Sequence, residues 1–215
     1  ESLSGLVLAQ AARPGAAFIY GAFATIMDMQ TSIFSYGAPE MSLMVGAMAQ
    51  MAQFYELPFF GTAGCTDAKF CDPQAAAEAT LQCLSSAAIG SSLVHDCSSW
   101  MDHGSLVSPA FMVLVNEILH SVNQYMKGLP VTEETLAVDL IDRVGPGGHY
   151  LQEDHTMKHF REVRYSKLFD RTVYDQWKEM GAKRFEERLR ELTQEAMAHQ
   201  PAPLPEDVIQ ELDRM

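Results

Sequence analysis

Apolar residues run together through residues 16–23, 57–62 and, more briefly, 91–96, and each run is followed by a loop and then by a longer stretch with apolar positions at helical spacing. Short continuous apolar runs of this kind read as buried strands. The stretches that follow, residues 39–55, 72–88 and 109–127, read as helices; in the first, Met41, Met44, Met48 and Met51 form a stripe that predicts core packing. A further helix over residues 2–12, closed by Pro14 and Gly15, precedes the first run. Three β-loop-α units therefore succeed one another. A parallel sheet is expected, because parallel neighbours need long crossover connections. Three units are too few to close a barrel, so the pattern fits a small open sheet or, as the preferred α/β reading, the carboxyl-terminal part of a (β/α)8 barrel of the TIM type.

The pattern changes after residue 131. Thr132 opens a capping-box-like start to a helix that the Gly145-Pro146-Gly147-Gly148 run breaks. Helix is expected from Arg164 onward, where Glu186, Glu187, Arg188, Arg190 and Glu191 make a charged surface face, and again over residues 206–215 after the prolines at 201–205. Residues 1–150 are thus read as the βα units and 151–215 as a charged helical extension.

The stretch from Leu57 to Glu78 is the most informative. Phe59 and Phe60 are read as core strand residues, and Gly61 and Gly64 allow close backbone approach or positive φ. Thr66, Asp67 and Lys69 then fall at the carboxyl end of a strand, where α/β folds place their chemistry. Asp72 before Pro73 is a strong helix start.

Composition narrows the function. The chain has 215 residues, is 47% hydrophobic and carries a net charge of −13, which suits a globular protein and argues against nucleic-acid phosphate as partner. A cationic substrate is compatible with that charge. The four cysteines lack disulfide-framework or paired zinc spacing, so a reduced, cytoplasmic setting is the expectation. No apolar run is long enough for a membrane span, and no signal peptide is visible. His95, Asp96, Cys97, Asp102 and His103 are rich in ligand atoms but too irregularly spaced to predict zinc. A Ser105, His95 and Asp102 triad can be drawn, yet no nucleophile elbow accompanies it, and no nucleotide-binding glycine motif is present.

Four motifs in order, MDMQT at residues 27–31, YGAPE at 36–40, ELPFFGTAGCTDAKFCDPQAAAE at 56–78 and VGPGGHYLQEDHT at 144–156, resemble the trimethylamine methyltransferase family. The resemblance covers nearly the whole chain but only the carboxyl part of the family's usual length. It implies a TIM barrel and methyl transfer from a small methylated amine to the cobalt of a corrinoid held by a separate protein, with no cofactor or metal bound tightly by this chain. Some members carry pyrrolysine. This chain shows only the twenty ordinary residues, so it looks more like the glycine betaine branch, whose quaternary substrate leaves as a neutral amine. The alternative is a ligand-binding or regulatory module built on the same barrel.

Under that resemblance, His103, Asp67 and Lys69 are the candidates for catalysis. His103 would be an orienting donor, and Lys69 a partner for Asp67 or for a substrate carboxylate. Tyr36, Glu40, Trp100, Phe111 and His95 are the candidates for substrate binding, because aromatic faces and carboxylates hold a quaternary ammonium. Ordinary packing fits Tyr36, Trp100 and Phe111 equally well. A homo-oligomer is compatible with the sequence, in particular through domain swapping.

Overall fold

A computed structural model describes residues 1–21, 23–97 and 100–214. Contacts divide them into two compact units, Glu1–Arg171 and Thr172–Met215, so residues 151–171 of the expected helical extension lie in the first. The elements of that unit run α1 (Ser2–Ala12), β1 (Tyr20–Gly21), β2 (Met27–Asp28), β3 (Ile33–Phe34), α2 (Pro39–Phe54), β4 (Phe59–Thr62), α3 (Pro73–Ala88), β5 (Leu93–His95), β6 (Trp100–Met101), β7 (Leu106–Val107), α4 (Pro109–Met126), α5 (Glu133–Leu136), α6 (Val138–Val144) and α7 (Asp154–His159).

β1, β4 and β5 form a parallel sheet in the order β1-β4-β5, with Tyr20 opposite Phe59, Gly21 opposite Phe60, and Thr62 opposite His95. The fold is mixed α/β, as the three repeated units predict. Its strands are shorter than the apolar runs suggest: β1 pairs over two residues of the expected 16–23, within which Ala22 lies outside the described residues. Both outer strands pair with β4 alone among the described residues, so little of each run is held in a ladder. The loop expected between β1 and α2 contains its own antiparallel pair, β2 with β3.

One face of the sheet is covered. Tyr20 and Phe59 point from it into a core with Tyr36 and Cys65 and with Met41, Val45, Ala49 and Ala52 from α2. Those four positions are the helix's buried stripe, so the methionine reading needs correction. Met41 is buried, Met48 half-buried, and Met44 and Met51 are exposed, because the core lies against the neighbouring face of α2. Phe60 also departs from its expected core position. Period-two alternation turns it to the opposite face, where Ile19, Gly21, Phe23, Leu93 and His95 join it around an open cleft of about 460 Å3.

The helix starts follow their sequence signals. Asp72 accepts a hydrogen bond from Ala75 N and Ser108 from Phe111 N, each one residue before a proline in the first turn. α3 buries Ala75, Ala79, Gln82, Cys83 and Ser86, and packs against both α2 and α4. α4 carries a second core through Phe111, Leu114, Val115, Ile118 and Val122. On its flank the half-buried Arg164 pairs with Glu117 and reaches Ser121 Oγ at 3.3 Å. Thr132 caps α5, with Thr135 completing the box. No helix of the described residues is long and apolar enough to cross a membrane.

The second unit holds α8 (Tyr174–Glu179), α9 (Phe185–Met197) and α10 (Glu206–Leu212). The helix expected from Arg164 begins only at Tyr174 and is interrupted again after α8: Gly181 and Ala182 take positive φ, and Trp177 Nε1 closes the turn on Lys183 O at 2.9 Å. Met215, within the expected last helix, lies outside the described residues.

Candidate functional site

The chain leaves each strand of the parallel sheet at its carboxyl end and enters a loop, and the three loops converge. Thr66 N donates to Trp100 O at 3.1 Å and Asp102 N to Ala68 O at 3.1 Å, which lays the loop after β4 along the loop after β5. Gly64, at φ +76, makes the approach possible: a Cβ there would stand 3.2 Å from Cys97 Cα and from Val115 Cγ1.

Asp67 is the centre of this junction. Its carboxylate accepts from Tyr36 N at 2.7 Å, from Gly37 N at 3.0 Å and from the Ser35 hydroxyl. His103 Nδ1 lies 2.9 Å from Asp67 Oδ1. That nitrogen is buried, and its line to the carboxylate falls outside hydrogen-bond geometry, so the two side chains stand close without a hydrogen bond between them. Asp102 and His103 both sit in the left-handed region, at φ 48 and 53, with Gly104 following at φ 83. For residues with a Cβ such a conformation costs about 1–3 kcal/mol each, and it persists where surrounding structure imposes it.

Behind the loops stands α3. Glu78 accepts from Thr66 Oγ1 at 2.6 Å, Asp67 N at 2.9 Å and Gln74 Nε2 at 2.8 Å. Four residues on, Gln82 donates to Tyr36 O at 2.7 Å and Cys65 O at 3.1 Å and accepts from Cys65 N at 3.0 Å, so a buried amide is satisfied at both ends. Together they fasten the Ser35–Gly37 loop to the loop after β4.

Aromatic rings face the same junction. Tyr36 meets Phe23 and Phe34 edge-on at centroid distances of 4.9 and 5.3 Å, and Phe34 stands 6.2 Å from His103. Burial, followed by the nearby Cys65, Asp96 and Asp67, pushes the Tyr36 hydroxyl above its ordinary pKa, keeping it a donor. A Cβ on Gly104 would lie 3.1 Å from the Trp100 ring and 3.3 Å from that of Tyr36, so the glycine lets both rings close in. His95 lies over Phe60 at 4.7 Å, with Nε2 2.8 Å from Thr62 Oγ1 and Nδ1 2.8 Å from Asp96 Oδ2.

Of the residues singled out in the sequence, Asp67, His103, Tyr36 and Trp100 meet here. Lys69 lies at the rim, donating to Asp67 O at 2.7 Å with Asp102 Oδ1 at 3.4 Å. His95 reaches the group through Phe23, at 6.3 Å. Glu40 and Phe111 do not join it. Glu40 is exposed in the first turn of α2, where its charge suits the helix N-terminus, and Phe111 has no exposed surface and fills the core under α4. Sequence reasoning missed Phe23, Phe34, Ser35, Glu78 and Gln82. The last two carried a signal, since Gln82 interrupts the small apolar stripe of α3 and Glu78 stands one turn before it.

The cysteines stand behind these loops. Cys83 and Cys97 line a cleft of about 350 Å3 between α3, α4 and β5. A hydrogen bond between their thiols lowers the Cys97 pKa and, together with burial, raises that of Cys83. Burial likewise raises Cys65. Among the described residues, no three His, Cys, Asp or Glu side chains are grouped to hold a metal ion.

A profile of the trimethylamine methyltransferase family matches residues 1–215. The chain is 37% identical to trimethylamine methyltransferase MttB of Desulfitobacterium hafniense, over 97% of this chain and 42% of that protein. It is 36% identical to a glycine betaine methyltransferase of another strain of that organism, over 82% of this chain and 37% of the relative. Identity to the trimethylamine methyltransferase MttB of Methanosarcina thermophila is 33%, over 99% of this chain and 44% of the relative. The chain thus spans about two fifths of the length of these curated relatives. A match along its full extent, with every one of the four sequence motifs inside it, establishes that the chain belongs to the trimethylamine methyltransferase family.

Proposed function

We propose that this chain forms part of a (β/α)8-barrel methyltransferase that moves a methyl group from a small methylated amine to the cobalt of a corrinoid held by a partner protein. The observation that carries the reading is the meeting of three strand-end loops around Asp67 and His103, with Tyr36, Phe34 and Trp100 beside them. The uncovered sheet face, with Phe60 and Leu93 half-exposed, has the character of an inner barrel wall.

A quaternary ammonium carries its charge on methyl and methylene carbons, which no hydrogen bond can hold; aromatic faces and nearby carboxylates can. When the methyl carbon passes to its acceptor, the C–N electron pair stays on nitrogen and the product is a neutral tertiary amine. The corrinoid supplies the cobalt(I) nucleophile. The chain supplies position and electrostatics: Asp67 sets a carboxylate beside the His103 ring, His103 orients the polar end of the substrate, and Lys69 at the rim offers a partner for a carboxylate. A carboxylate-bearing quaternary amine such as glycine betaine would use both the aromatic rings and Lys69 at the rim.

The test is demethylation by the full chain with a reduced corrinoid protein as acceptor. Glycine betaine is expected to react faster than trimethylamine. A preference for trimethylamine overturns the substrate assignment, and no transfer from either, with binding retained, favours a non-catalytic ligand-binding module.

A further inference from the structure

We infer that Glu78 is a positioning residue for the Asp67–His103 pair, an inference that rests on the methyltransferase reading above. Its carboxylate grips the turn on which Asp67 rides, through Thr66 Oγ1 at 2.6 Å and the Asp67 backbone N–H at 2.9 Å. Gln74 Nε2, one turn earlier on α3, holds the other oxygen at 2.8 Å and fixes the rotamer. The same carboxylate also abuts the opposite loop. A Cβ on Gly37 would lie 2.2 Å from the Glu78 carboxyl carbon and 2.4 Å from each oxygen, while Gly37 N donates to Asp67 at 3.0 Å. Glu78 therefore sets both the height of Asp67 above α3 and the distance at which the Ser35–Gly37 donors meet it. His103 Nδ1 stands 2.9 Å from Asp67 Oδ1 without an aligned hydrogen bond, so a shift of that carboxylate changes what the ring faces.

Glu78 acts through Asp67, and that is what separates positioning from general support of the fold. In the full chain, with glycine betaine as donor and reduced corrinoid protein as acceptor, Glu78→Ala is expected to lower kcat on the order of a hundredfold, with KM changed little. Glu78→Gln keeps an acceptor oxygen for Thr66 and Asp67 and should restore most of the rate. In an Asp67→Asn background, adding Glu78→Ala should cause almost no further loss, whereas independent structural damage would multiply. Gly37→Ala, which leaves the carboxylate in place but forces it to shift, serves if Glu78→Ala does not fold. The 15N signals of the His103 ring give a readout independent of turnover and should move in Glu78→Ala. If Asp67→Asn and His103→Ala leave transfer intact, the functional reading fails, and the ring signals still test Glu78. If those variants lose activity while Glu78→Ala keeps both kcat and the ring signals, the positioning role alone is overturned.

Discussion

Asp67 and His103 come from the loops after two different strands, and their Oδ1 and Nδ1 atoms stand 2.9 Å apart. The carboxylate accepts hydrogen bonds from Ser35 Oγ and from the backbone N–H groups of Tyr36 and Gly37. Asp67→Asn would turn an N–H2 group toward some of these donors and should destabilise the chain by about 1–3 kcal/mol, read by urea unfolding. Unchanged stability would mean that the donors do not depend on the carboxylate.

Phe111 and Trp100 should respond in opposite ways. Phe111 has no exposed surface under α4, so Phe111→Ala is expected to cost about 3–5 kcal/mol of stability through the cavity it leaves. Trp100→Leu, at a half-exposed ring, should weaken betaine binding in calorimetry with a smaller change in melting temperature. A stable Phe111→Ala chain with weakened binding would return Phe111 to the site.

The strands, helices and caps were legible because they depend on local pattern: Asp72 before Pro73 and Ser108 before Pro109 mark helix starts in any context. Asp67, His103, Tyr36 and Trp100 were legible as candidates because they fall in loops at strand ends. Their meeting was not, since it depends on the sheet register and on the left-handed backbone at Asp102 and His103, which those residue types tolerate but do not dictate. Phe111 misled because three residues beyond an N-cap the helix has already turned its side chain inward. Glu78 carried only the signal of its place one turn before Gln82, and its role shows once Gly37 is seen against it.

Acid should loosen the anchor of Arg164 on α4. Burial alone would raise the Glu117 pKa, but the hydrogen bonds from Ser166 and Arg164, with the charge of Arg164, outweigh it and bring it below the ordinary value of 4.5. A depressed carboxyl contributes stability that is present above its unfolded pKa and is lost as pH falls through the folded one. Wild type should therefore exceed Glu117→Gln in unfolding free energy at neutral pH, and the gap should close as pH drops below about 4.5. A gap independent of pH would contradict the ion pair.

Among the four cysteines, Cys97 should alkylate first. Its thiol is lowered by the hydrogen bond with Cys83 against the opposing effect of burial, whereas burial raises Cys71 to about 11 and also raises Cys65. Peptide mass spectrometry after brief iodoacetamide treatment near neutral pH would read the order. Cys71 or Cys65 modified ahead of Cys97 would refute it.

If methyl transfer takes place at the Asp67–His103 junction, as proposed, the single-turnover rate of transfer from glycine betaine to a reduced corrinoid protein should differ sharply between wild type and His103→Ala. A loss on the order of a hundredfold or more is expected in the variant, with its melting temperature preserved. A wild-type rate in folded His103→Ala would contradict it and move the chemistry elsewhere in the protein.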